Sequence, residues 1–412
     1  MKFAEERTDS YWQYDAAVDL ALPAAKPRLP LADEIMPYLC RIDQSRWYSN
    51  GGPLVQEFEA RLATYAGGGS VATVANATIG LALALLTHDV APGSLCMVPS
   101  WTFAATGHAI QLAGLIPWIV DVDAASWALD PRAAREFLRN APGPVSAVIP
   151  VSPFGYPIDF ASWNSFRDET GLAVVIDAAA MFDTIRSGPI PAVVSLHATK
   201  VLGVGEGGFV VGTDAGFIQE LQKRANFGFW GSRQSTVRSL NGKMSEYGAA
   251  VGLAALDHWD TTRADFARVA AAYVEAFAAE SKVMIQEGLG ERWVNSTVVV
   301  SVEEAGAEAV GRKLAEHRIG TRRWWGGGLH HHAAFKKFPR SQTRNTELLA
   351  RNVIGLPCWC DLPNETIEEI CDLVLSLRAC FRPPVCPSEG LERYCPALWF
   401  PLRLTDQPAR QG

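Results

Sequence analysis

The segment VVSLHATKVLGVGEGGFVVG, Val193 to Gly212, sets two short apolar runs on either side of a lysine and a glycine-rich turn. Val193–Leu196 and Phe209–Val211 both have strand length and composition. Lys200 falls just past the end of the first. Exposure to solvent is the ordinary fate of a lysine. One held in a crevice and stripped of water loses proton affinity and becomes an amine nucleophile. The position between a strand end and a tight turn favours that second role. Gly203 to Gly208 also spells Gly-x-Gly-x-x-Gly. A dinucleotide fingerprint should open a helix, whereas a strand follows here, so a nicotinamide or flavin cofactor is set aside. The glycines read instead as a turn that lets backbone pass close to a bound ring.

Upstream, similar apolar runs recur at Val71–Ala75, Leu95–Val98, Ile116–Val120, Ala147–Val151 and Ala173–Ile176. Helical patterns separate several of them, at Ile79–Thr87, Ala104–Ala113, Pro131–Asn140 and Phe160–Thr170. This alternation predicts an α/β fold, a mostly parallel sheet with helices on both faces, and ligands at the carboxyl ends of its strands. Downstream, Ser245–Ser281 reads as one long helix, followed by strands at Val283–Ile285 and Ser296–Val302 and helices at Ala307–His317 and Asn364–Cys380. We therefore expect an N-terminal segment (1–45), a large domain (46–282), a smaller C-terminal α+β domain (283–381) and an irregular, proline-rich extension (382–412).

With 412 residues, 48% hydrophobic and 20% charged, the chain has the balance of an ordinary globular protein of two domains. A net charge of −7 without a basic run argues against nucleic acid. No apolar run is long enough for a membrane span, and the first fifteen residues are too polar for a secretory signal. The eight cysteines follow no redox or zinc spacing; Cys40 and Cys96 read as buried thiols, and reduced thiols suit a cytoplasmic protein.

Two further features belong with Lys200. Val175-Ile176-Asp177 places a carboxylate directly after an apolar strand, where it is costly unless a cation meets it. A protonated pyridine nitrogen is such a cation, although a plain helix cap explains an isolated acid equally well. Val74 to Gly80 runs from a strand through small residues into a helix. Its first-turn amides and the Thr78 hydroxyl suit a phosphate, or Thr78 simply caps the helix.

Other residues attract attention with less reward. In Gly328-Leu-His-His-His332 adjacent side chains should diverge, and no carboxylate or cysteine lies at ligand spacing beside them, so no metal site is expected. Glu206 reads as a buried structural acid and His197 as a hydrogen-bonded core residue. Arg322, Arg323, Trp324 and Trp325 are either anion-binding or packed.

Taken together, these residues resemble the DegT/DnrJ/EryC1/StrS family of sugar aminotransferases, within the fold type I pyridoxal 5′-phosphate (PLP) enzymes. The likeness runs from about Leu29 to Leu377 and rests on Tyr48-Ser-Asn-Gly-Gly-Pro-Leu, Val98-Pro-Ser-Trp-Thr-Phe-Ala-Ala-Thr, Val175-Ile-Asp-Ala-Ala, Ser195-Leu-His-Ala-Thr-Lys, Gly205-Glu-Gly-Gly and Asn241-Gly-Lys-Met-Ser. The resemblance implies that Lys200 bonds to the cofactor and shuttles the proton, and that Asp177 partners the pyridine nitrogen. It further implies that Phe103, with Trp101 as fallback, stacks on the ring. Ala77, Thr78 and Ser195 would cup the phosphate, and Asn241 would reach the cofactor of the second subunit of a homodimer. Thr321 to Leu329, with Arg322, Arg323, Trp324 and Trp325, would lie in the small domain near the substrate entrance. Family members commonly carry Gln or His three residues after the aspartate, where this chain has Ala180. The implied reaction is ping-pong transfer of an amino group from glutamate to a nucleotide-linked keto sugar. A cyclitol or other free ketone as acceptor, or a non-catalytic PLP-binding regulator, are the alternatives.

Overall fold

The computed structural model describes residues 20–377. The expected extension at 382–412 and the first nineteen residues of the expected N-terminal segment lie outside the described residues. Two helices, α1 (Ala32–Ser45) and α2 (Pro53–Tyr65), lead into β1 (Ser70–Val74). Then β and α alternate: α3 (Ala77–Thr87), β2 (Leu95–Pro99), α4 (Ala104–Leu112), β3 (Ile116–Val120), α5 (Pro131–Leu138), β4 (Val145–Val148) and α6 (Phe160–Thr170). The sheet is completed by β5 (Ala173–Val174), β6 (Ile176–Asp177), β7 (Ala192–Ser195) and β8 (Gly208–Gly212), and α7 (Ala215–Ala225) follows.

The strands form two hydrogen-bonded groups, β3-β2-β4-β5 and β1-β8-β7-β6. They are one layer, because β5 and β6 are halves of a single strand. Its first half pairs with β4, its second with β7, and a parallel bridge joins Val151 to Asp177. Only β8 runs antiparallel to its neighbours. Both faces of the layer are buried, as the unbroken apolar runs require. Trp118 and Val120 enter one core while Ile119 enters the other, and Phe209 and Val211 are split from Val210 in the same way.

The expected long helix at 245–281 is two helices, α8 (Glu246–Asp257) and α9 (Trp259–Phe277). The chain leaves helical geometry at His258 (φ −107°, ψ 8°), which turns Trp259 into the core edge-on to Phe182 at 4.8 Å. Packing of that indole overrides a periodic pattern that would otherwise continue. Near the start of α8, the fully buried Glu246 accepts hydrogen bonds from the amides of Leu54 and Val55, serving the exposed amides of a neighbouring helix start. Gly52 is required there, since a Cβ would lie 2.9 Å from the Glu246 carboxyl carbon and 2.5 Å from Trp47.

The remaining elements are β9 (Val283–Ile285), β10 (Val298–Val302), α10 (Gly306–Glu316), α11 (Arg344–Asn352), β11 (Val353–Leu356) and α12 (Asn364–Ser376). The strands form an antiparallel sheet in the order β11-β10-β9. Between α10 and α11 the chain returns to the large layer. Leu329 N–H donates to Ser100 O at 2.7 Å, and Ile119 exchanges backbone hydrogen bonds with Pro339 and Ser341. The Asp121 carboxylate, just past β3, accepts from the amides of Asn345 and Thr346 and so caps α11 from outside. No helix of the described chain is long and apolar enough to cross a membrane.

Candidate active site

Because β1, β2, β4, β6 and β7 run in one direction, their carboxyl ends share an edge, and four of the expected site segments gather there. Asp177 ends β6, Ser195 ends β7, Ala77 and Thr78 follow β1, and Phe103 follows β2.

Lys200 sits at the tip of the loop that joins β7 to β8. Backbone hydrogen bonds from Leu196 to Gly207 O (3.0 Å), Ala198 to Gly205 O (2.8 Å) and Val204 to Leu196 O (2.8 Å) hold that loop shut. A Cβ on Gly203 would fall 2.9 Å from Ala198 O, so the glycine permits the fold-back that presents the lysine. Lys200 is half-buried by surface, yet its amine end is enclosed enough that desolvation lowers its pKa, the attraction of Asp177 opposing the shift.

Asp177 is 5% exposed. Its Oδ2 accepts from the Thr106 hydroxyl at 2.8 Å and its Oδ1 from the Ala179 amide at 3.1 Å. The Thr106 hydroxyl is itself 2.8 Å from that of Thr102. Burial raises the Asp177 pKa; the Thr106 and Ala179 donors and the positive charge of Lys200 pull it back. Both threonines belong to the Trp101-Thr-Phe-Ala-Ala-Thr106 motif, whose sequence alone gives them no role. Their spacing of four residues around Phe103, at the start of a helix, is the signal that both hydroxyls share one face.

The corner expected to receive a phosphate is also local. Asn76, rather than Thr78, caps α3, its side chain accepting from Ile79 N–H at 2.9 Å. The first-turn amides of Ala77 and Thr78 therefore have no intrahelical partner. Gly208 pairs with Val74 on one side and Ser195 on the other. A Cβ on it would lie 2.9 Å from the Ala77 amide nitrogen, so a side chain there would fill the space between the helix start and Ser195. The Ser195 hydroxyl accepts from His197 N–H at 3.2 Å. Asn241 is exposed; it bridges to Asn226 and accepts from Lys243 Nζ at 2.8 Å, and the neighbouring Gly242 carbonyl holds the Ala75 amide at 2.7 Å.

Of the two aromatic candidates, Phe103 is 59% exposed and Trp101 is 3% exposed. Trp101 is taken up by a cluster in which Trp325 stacks on Phe154 at 4.1 Å and meets Trp101 edge-on at 5.4 Å. Trp101 is thus no fallback for ring stacking. Arg322 lies over the Trp324 ring at 5.6 Å, and Arg323 donates to the Ala350 carbonyl. Both arginines pack around a tight cleft against Trp101 and Phe154.

Several expectations need correction. Glu206 is exposed, with a carboxylate 3.7 Å from His197 Nε2, and His197 is half-exposed, bonded through Nδ1 to the Thr199 hydroxyl at 2.9 Å. Both lie on the outside of the Lys200 loop instead of in the core. Cys40 is exposed, while Cys96, Cys358, Cys360 and Cys371 are buried free thiols. The histidine run also departs from its reading. A short 3-10 turn at Leu329–His331 swings His330 and His331 onto one oxygen of Glu347, at 3.0 and 2.8 Å. The carboxylate comes from α11, sixteen and seventeen residues away, where spacing along the chain does not reveal it.

A PLP group fits what these residues offer. Among the described residues no cation is paired with Asp177, so a nearly buried carboxylate is left facing only neutral donors in contact. A protonated ring nitrogen would supply the missing charge. An enclosed amine and a helix start cleared by Gly208 provide for the aldehyde and phosphate ends.

The model of the DegT/DnrJ/EryC1/StrS aminotransferase family matches residues 30–375. The dTDP-4-amino-4,6-dideoxy-D-glucose transaminase of Shigella dysenteriae is 32% identical over 243 residues, which is 57% of this chain and 65% of that protein. The chain thus spans just under two thirds of that relative's length. The UDP-N-acetyl-3-dehydro-alpha-D-glucosamine 3-aminotransferase of Acidithiobacillus ferrooxidans is 26% identical over 354 residues, 84% of this chain and 94% of that one. The structure of DesI with its TDP-sugar product superposes with a TM-score of 0.76 and 32% identity, covering 87% of this chain and 93% of DesI. That likeness carries the expected fold type I architecture across both layers. With the family's pattern reaching from the first described helix to the last, this protein belongs to the DegT/DnrJ/EryC1/StrS aminotransferase family.

Proposed function

We propose that this chain is a PLP-dependent aminotransferase that passes an amino group from a donor amino acid, glutamate, to a keto sugar carried on a nucleotide, in two half-reactions. The reading is carried by one observation: a buried carboxylate without a contacting cation and an enclosed lysine, each shifted by burial toward its neutral form, occupy one sheet edge. Family membership and the sugar-linked relatives support the acceptor class.

Bound at that edge, PLP supplies an aldehyde for covalent attachment and an electron sink for a carbon that loses its proton. Asp177 holds a proton on the ring nitrogen, and Thr106 with the Ala179 amide keeps its carboxylate oriented. Lys200, with its lowered proton affinity, is an unprotonated amine over more of the neutral range than an exposed lysine. Its Nζ would take the proton from the substrate carbon and return it on the other side of the transfer. Ala77 and Thr78 amides with the Ser195 and Thr78 hydroxyls receive the phosphate. Phe103, exposed at the same edge, would stack on the ring face.

The exposed Asn241 fits a role across a homodimer interface, reaching the phosphate of the partner's cofactor. The buried free thiols suit a reducing, cytoplasmic setting. The test is a panel of keto sugars, nucleotide-linked and free, with the full-length protein, PLP and glutamate. Amino sugar formed only from nucleotide-linked acceptors supports the reading. Turnover of cyclitol ketones alone favours the wider aminotransferase reading, and no conversion to the amino form of the cofactor by any donor defeats it.

A further inference from the structure

We propose that His330, His331 and Glu347 form a binding site for zinc or a similar divalent transition ion. The proposal concerns a different part of the molecule and does not depend on the amino-transfer reading.

The two Nε2 atoms lie 3.0 and 2.8 Å from the same carboxylate oxygen, and the three ligand atoms fall within 4.8 Å of one another. A tetrahedral zinc with bonds of about 2.0–2.2 Å sets its ligand atoms roughly 3.3 Å apart. The two nitrogen-to-oxygen distances therefore need to open by only a few tenths of an ångström, while the two nitrogens, within 4.8 Å of each other, settle to the same spacing. The Thr343 hydroxyl, 3.3 Å from His330 Nε2, places one more oxygen beside the two nitrogens and the carboxylate. Two imidazoles and one carboxylate match zinc, nickel or copper, since magnesium and calcium prefer all-oxygen cages.

The cluster is graded from inside to outside. His330 is 5% exposed and forms the floor, while His331 at 52% and Glu347 at 40% leave an approach open to solvent. Its backbone is pinned before any ion arrives. Leu329 N–H is held by Ser100 O, and α11 is capped by Asp121 through Asn345 and Thr346. Such fixing lowers the entropy lost on binding. Two features limit affinity. The nearby Arg340 charge opposes a cation, and His330 Nδ1 has no hydrogen-bond partner among the described residues to orient the ring once Nε2 is taken. A bound ion would tie the turn that follows Trp324 and Trp325, and with it the aromatic cluster at Trp101 and Phe154, to α11.

The test uses full-length protein, stripped with a chelator and freed of unbound PLP, titrated with Zn²⁺ by equilibrium dialysis. The expected result is a site filled once per chain that His331→Ala and Glu347→Gln each weaken at least about 10-fold. Both side chains are partly exposed, so both variants should fold, and their melting curves verify it. Cu²⁺ bound at the same stoichiometry should show two imidazole nitrogens by electron paramagnetic resonance. Undetectable binding overturns the proposal. So does zinc held equally well by both variants, which places the ion elsewhere, on the thiols for example.

Discussion

Asp177 and His330 are enclosed to the same degree, each 5% exposed, yet their surroundings differ in kind. Asp177 touches only neutral donors, and the nearest cation, Lys200, acts on it without forming a contact pair. His330 touches an acid, Glu347, that is itself partly in water. Burial shifts both groups toward neutrality, but only His330 has an opposite charge in contact. The contrast teaches that an enclosed charge without a contacting counter-ion is arranged for something that arrives. The same enclosure with a counter-ion in place can stand alone. Mutations should therefore be severe and functional at the first site, and mild at the second until an ion is added.

The largest expected effect is at Lys200. Lys200→Ala should lower kcat by roughly 10²–10⁴-fold or more, because it removes the proton carrier, while the melting temperature stays close to that of the parent. Steady-state rates beside a melting curve check both halves. Asp177→Asn comes next, with about 100-fold lost from kcat/KM, equivalent to roughly 3 kcal/mol for removing one member of a buried charge pair. The sign of its pH effect is fixed. Asp177 raises the Lys200 pKa, so without it the lysine loses its proton at still lower pH. Labelling of the Lys200 amine in cofactor-free protein should then begin at lower pH in the variant. An onset unchanged or moved upward breaks the coupling.

Thr106→Val should be smaller, costing about 1.5–3 kcal/mol for a hydrogen bond to a charged acceptor. It should appear as weaker PLP binding, with kcat less affected at saturating cofactor. Smallest is His331→Ala in chelator-treated protein. A half-exposed ion pair contributes at most about 1 kcal/mol, so urea unfolding should change little. A large loss there would erase the contrast between the two sites.

The sheet was legible because its strands are short apolar runs, several of them separated by helical patterns, and because site residues at strand ends follow those runs closely in sequence. Asp177 after Ile176 and Lys200 after the β7 run are of that type. Features assembled by distant segments were not legible. The break at His258 depends on where Trp259 finds its pocket beside Phe182. The short α11 carries a weak apolar pattern and is started by Asp121, more than two hundred residues earlier. The convergence of His330 and His331 needed both that helix and a 3-10 turn. Exposure of Glu206 was likewise invisible, since a loop acid beside an apolar run reads the same inside or out.

The central claim is that the Lys200 amine bonds to the cofactor, and borohydride reduction followed by peptide mass spectrometry tests it most directly. The full-length protein is incubated with PLP, reduced, digested and mapped. A pyridoxyl group on the peptide bearing Lys200, and its disappearance in Lys200→Ala, is the predicted result. A protein that takes up no label, or that carries it on another lysine, contradicts the account.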